Sequence, residues 1–178
     1  MKLKASIGEE YDHINNVAVK TYAIAADHNN FNPKNLEELK QSLPYAVAIS
    51  LVVGEVSVDE INQLIEFGLL DNYSTVDSVN SIKNIVNNML LLSDDKLNEL
   101  YPDKRPSNVI IKLDEHFRNG VFQNITMLPK GDLENPFQLR DLIEKFKGLN
   151  PKYDINNLTV IDSLEEYTMK YVVRKLNS

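Results

Sequence analysis

The chain has no cysteine. That excludes disulfides, a thiolate nucleophile and every cysteine-ligated zinc site, and it fits a reducing compartment, so a cytoplasmic location is expected. Glycine is sparse, six residues with no G-x-G among them, so loops whose backbone amides cradle phosphate are missing. No G-x-S-x-G elbow presents a nucleophilic serine. The histidines are His13, His28 and His116, and no two stand at the i,i+4 spacing of a helical metal site. Each follows an acid, but adjacent side chains do not face each other on a helix, so these doublets form no dyad. Neither a metal nor a cofactor is expected. The lysines of MKLKASIGEE precede no apolar run, so no signal peptide is visible. The best membrane candidate, Tyr45–Val53, falls far short of the roughly 20 apolar residues of a span, and no membrane contact is expected.

What is present is an ordinary globular composition, 43% hydrophobic and 25% charged, enough for one domain or two small subdomains. The net charge of −7 is uneven. Residues 1–100 hold 7 Lys/Arg against 15 Asp/Glu, and residues 101–178 hold 12 against 11. An acidic first half repels phosphate backbones, so no direct nucleic-acid contact is expected, and it attracts a protein with a basic surface. Asparagine is abundant, as in proteins of AT-rich bacterial or phage genomes.

The stretch that organises the chain is Leu43–Asp71, the densest apolar run followed by a capped helix. Before it, Tyr11, Ile14, Val17, Ala18, Tyr22 and Ala25 recur at helical steps, which predicts one helix over Glu9–Asp27. A short helix over Leu36–Leu43 follows, capped by Asn35 and ended by Pro44. Tyr45–Val53 is a buried strand or a buried helix, and its helical neighbours favour helix. Ser57 with Glu60 forms a capping box, and Gly68 stands where a helix C-terminal glycine belongs.

Val76–Leu92 predicts a long helix, and Ser93 caps a short one ending at Leu100. The break Pro102–Pro106 divides an acidic helical subdomain, 1–104, from an α+β subdomain, 105–178. There NVIIKL and VFQNITML flank Asn119-Gly120, the signature of a hairpin with Phe117 opposite Phe122 and Leu113 opposite Thr126. A helix from Pro136 to Lys147 capped by Asn135, a strand over Leu158–Ile161 and a final helix opened by Ser163 complete a mainly α, α+β reading.

The paired acids Glu37-Glu38, Asp94-Asp95 and Glu165-Glu166 fall at helix starts, where the helix dipole accounts for them. The order of a helix, Gly54, a capped helix and a later hairpin resembles helix-turn-helix and winged-helix modules. The exposed positions of the would-be reader helix are Asp59, Glu60, Asn62, Gln63 and Glu66, the wrong sign for phosphate and without an arginine for guanine.

The expectation is therefore a non-enzymatic protein-binding modulator from a bacterium, phage or mobile element, in one version an acidic DNA mimic that inhibits a nucleic-acid-acting enzyme. Its partner-binding residues would be Glu37, Glu38, Glu55, Asp59, Glu60, Glu66, Asp71 and Asp77. The rivals are a small hydrolase or nucleotide-modifying enzyme using carboxylates and His28 or His116, and a phage assembly protein. Oligomeric state is not legible.

Overall fold

The computed structural model describes residues 2–54, 56–115 and 120–149. The chain divides into two compact units, Met1–Pro129 and Lys130–Ser178. The first is built on a four-stranded sheet in the order β2-β1-β3-β4, from β1 (Ile14–Thr21), β2 (Met89–Ser93), β3 (Ser107–Leu113) and β4 (Val121–Thr126). β1 runs parallel to β2 and antiparallel to β3, and β3 antiparallel to β4. A parallel pair requires a long crossover. Here it holds α2 (Ala23–Ala26), α3 (Leu36–Lys40), α4 (Leu43–Val52), α5 (Val58–Glu66) and α6 (Asp77–Asn87). α1 (Lys2–Ile7) precedes β1 and α7 (Asp95–Asn98) follows β2. The α+β class read from the sequence holds.

The single helix expected over Glu9–Asp27 is not there. A short 3-10 turn, Glu10–His13, leads into β1, one of the two interior strands of the sheet. The segment also alternates at a period of two, a pattern that competes with the helical stripe: Val17, Val19 and Thr21 are buried, and two of them are valines, which favour a strand. The long helix expected to Leu92 stops at Asn87, and Met89–Ser93 becomes β2 because it pairs with Val17–Thr21. Asp94, rather than Ser93, caps α7, accepting from the backbone N–H groups of Lys96 and Leu97 at 3.1 and 3.2 Å.

The Leu43–Asp71 stretch folds as read. Tyr45–Val53 lies in α4, but Pro44 sits in the first turn of that helix instead of ending the previous one, where its missing N–H costs nothing. Ser42 caps α4, accepting from the Tyr45 N–H at 3.2 Å. The capping box of α5 is complete, and Gly68 takes φ +86 just beyond the helix. The α4 residues Ala48, Ile49, Leu51 and Val52 and the α6 residues Val79, Ile82, Ile85 and Val86 pack with Val17, Val19, Ile111 and Leu113 of the sheet in one core.

The strands β3 and β4 pair antiparallel, but in another register from the one expected. Phe122 faces Ile111 and Thr126 faces Ser107, so the connection runs over 114–120 and Gly120 lies beside Leu113, outside the tip of a two-residue turn. Phe117 and Asn119 lie outside the described residues. β3 completes the sheet of the first unit by pairing with β1, so residues on both sides of Pro102–Pro106 share that sheet.

In the second unit α8 spans Leu139–Leu149, starting later than the expected Pro136. Asn135 is held in a β-bridge with Asp132, and the Gln138 N–H donates to the Asp141 carboxylate at 2.7 Å at the helix start. The Lys130 ammonium, then that N–H, keep Asp141 below the usual carboxylate range. The strand Leu158–Ile161 and the helix opened by Ser163 lie outside the described residues. No helix among those described is long and apolar enough to cross a membrane.

Candidate functional site

The acids of the expected partner face divide by what they do locally. Glu38 accepts from the Lys34 backbone N–H at 2.9 Å, from the Asn30 amide at 3.2 Å and from the Asn35 amide at 2.8 Å. Asn35 in turn accepts from the Glu38 N–H at 3.0 Å, a reciprocal cap of α3. These bonds, the Lys34 N–H foremost, hold the Glu38 carboxyl below its ordinary range. Glu60 accepts from the N–H and hydroxyl of Ser57, both at 3.2 Å. Two of the eight candidates are therefore parts of helix caps. That role was written in the sequence as Asn35-x-x-Glu38 and Ser57-x-x-Glu60.

Glu37 pairs with Lys40 at 3.0 Å one helical turn on. Asp59, Glu66, Asp71 and Asp77 are exposed, and Glu55 lies outside the described residues. Asp77 joins acids that sequence reasoning passed over. The Ser81 hydroxyl donates to the Asp12 carboxylate. Partial burial, then the charges of Asp12, Glu9 and Asp77, push the Tyr11 phenol up. The Lys4 ammonium lies 4.5 Å from the centre of the Tyr11 ring and donates to the Val52 carbonyl at 2.9 Å. Lys83 ties down the loop after α5, donating to the carbonyls of Gly68 and Asp71 at 2.7 and 2.8 Å.

One open pocket of about 310 Å³ is lined by residues of α2, α3, α4 and their loops, including Ala25, His28, Lys40, Ser42, Leu43 and Ala46. It gathers a histidine, a lysine and a serine, the residue types of acid–base or nucleophilic chemistry. Their bonds point to structure. The Ser42 hydroxyl donates to the Asn30 carbonyl at 2.7 Å while accepting from Tyr45. The Leu43 N–H donates to the His28 carbonyl at 2.9 Å, and Lys40 is paired with Glu37. His28 is exposed at the rim, and no carboxylate lines the pocket beside it. A general base needs an orienting partner and a partly desolvated setting to be tuned, and neither is provided there. Among the described residues no three His, Asp or Glu side chains are placed to hold a metal ion. His116 lies outside the described residues.

The family model for the MmgE/PrpD C-terminal domain matches residues 1–157, most of the chain. No curated protein matches it. The match overturns the expectation of a phage or mobile-element inhibitor, its DNA-mimic version and the rivals set beside it. The matched family is one of dehydratase-related proteins. Of the acids behind the inhibitor reading, Glu38 and Glu60 have local structural roles as helix caps.

Proposed function

The chain belongs to the MmgE/PrpD C-terminal domain family, and we propose that it works as the companion domain of a dehydratase-type enzyme, supplying a packing surface for the part that carries the chemistry. The observation behind this reading is the family match taken together with the way the candidate groups are engaged. Removing water from a hydroxylated substrate needs a base for a C–H proton and an acid for the departing hydroxyl, each within about 3 Å of the reacting atoms. Glu38, Glu60, Ser42 and Ser57 are committed to helix caps instead. The base and acid then come from another part of the enzyme, on the same chain or a second one. The partner protein expected from the acidic first half is read as that part.

The test is reconstitution. The chain would be mixed with the N-terminal part of a MmgE/PrpD-family enzyme, with complex formation followed by gel filtration and water elimination by the ultraviolet absorbance of a conjugated product. A stoichiometric complex, with turnover only when both are present, is expected. Turnover by this chain alone, or no complex at all, refutes the reading.

A further inference from the structure

Helices cover one face of the sheet, where Val17, Val19, Ile111 and Leu113 are at most 2% exposed. The opposite face carries large apolar side chains in the open. Leu90 and Leu92 of β2 are 51% and 37% exposed, and Val121 and Ile125 of β4 are 64% and 52% exposed. The register joins them across the sheet: Leu90, Ala18, Ile110 and Gln123 form one row, and Leu92, Lys20, Asn108 and Ile125 the next. A sheet face meant for water alternates polar residues outward, and exposed edge strands are normally blunted with charge. Here β2 presents Leu90 and Leu92, and β4 presents Val121 and Ile125 with Gln123 between them, and neither edge carries a charge. An apolar patch of this kind marks a surface that something covers.

Area and charge select the occupant. Four strands about 4.8 Å apart, each contributing about five residues at about 3.3 Å, make a face of roughly 300 Å². A standard interface uses about 800 Å² on each partner, so this face alone is too small to hold a free dimer. It is the size to seat one or two helices, each about 10 Å across, belonging to a body held close by further contacts or by the chain itself. No strand of the sheet contains an acid, and Lys20 and Lys112 point to the open side. Lys112 pairs with Glu115 at 2.6 Å, and no carboxylate reaches Lys20 among the described residues. A second copy related by a twofold axis would lay Lys20 against the same strands, none of which holds an acid. An amphipathic helix with a carboxylate beside its apolar stripe complements the face in both respects.

We infer that the open sheet face around Leu90, Lys20 and Ile125 is the seat of an acid-bearing amphipathic helix from the remaining part of the enzyme. This rests on the companion-domain reading. The test uses the full chain and the N-terminal part of a MmgE/PrpD-family enzyme as the probe, with affinity measured by calorimetry. Leu90→Gln and Lys20→Glu should each weaken binding about tenfold or more, and Lys20→Arg should restore it to near the parent value. These positions are on the surface, and unchanged circular dichroism melts would show that the fold survives. Binding that ignores both Leu90→Gln and Lys20→Glu places the partner elsewhere and overturns this inference while leaving the companion-domain reading intact. No binding by the unmodified chain removes both. Self-association abolished by Leu90→Gln would make a second copy the occupant and overturn the inference as well.

Discussion

Replacing Ile111 by alanine and, separately, its neighbour Ile110 by alanine should give very different losses of stability. The two lie on opposite faces of β3. Ile111 is 0% exposed, facing Phe122 on β4 and Val17 on β1, whereas Ile110 is half-buried on the open side. Truncating a fully buried isoleucine removes transfer free energy and leaves a cavity, together about 2–5 kcal/mol. At Ile110 the lost side chain is already partly in water and leaves no enclosed space, so about 1 kcal/mol is expected. With a urea m-value near 2 kcal/mol/M, the Ile111→Ala midpoint should fall by roughly 1–2.5 M and the Ile110→Ala midpoint by about 0.5 M. Urea titration followed by far-ultraviolet circular dichroism reads both numbers. A strand shifted by one residue turns every side chain to the other face. Equal losses, or a larger loss at Ile110, would therefore refute the register of β3 and the distinction between covered and open faces.

Ser57→Ala should destabilise the chain by about 1 kcal/mol, read as a lower thermal midpoint, because the Glu60 N–H loses its acceptor and one end of the capping box disappears. Gly68→Ala should cost about 1–2 kcal/mol, since φ is +86 there and a Cβ would stand 3.2 Å from both the Tyr73 carbonyl and an Asp71 carboxylate oxygen. An unchanged melt in either variant would count against the local geometry argued for that site. Glu38→Gln should flatten the acid limb of the stability profile. A carboxyl held below its ordinary 4.5 contributes stability above that pH and loses it as the pH falls through the folded value, so parent and variant should converge in strong acid. Denaturant midpoints measured from neutral to acid pH would show this, and parallel curves would rule out the cap as the cause.

Features that depend on residues three or four apart were readable in the chain. The Ser57–Glu60 box, the Asn35 cap and the glycine beyond α5 all form within a single turn, so sequence spacing carries them. The same spacing carries the cap roles of Glu38 and Glu60, two of the acids on the expected partner face. The open apolar face was partly legible too, as Leu90 and Leu92 alternate along β2 and Val121 and Ile125 along β4. Its meaning was not, because alternation says that two faces differ and cannot say which one a helix covers.

The sequence by itself determined the α+β class, the starts of α3 and α5 with their caps, and the want of a motif for cysteine, phosphate-loop or nucleophilic-serine chemistry. Those rest on residue types and on neighbours along the chain. Only the tertiary structure decided that Ile14–Thr21 and Met89–Ser93 are strands. Each is short, and each owes its state to the other: the hydrogen bonds of β1 are met by β2 on one side and β3 on the other, across separations of about 70 and 90 residues. Tertiary structure likewise set the register of β3 with β4 and left one sheet face open, with Lys20 among its apolar side chains. Pairing across long loops satisfies backbone groups that no local pattern can assign, and there the reading of the chain as a sequence ends.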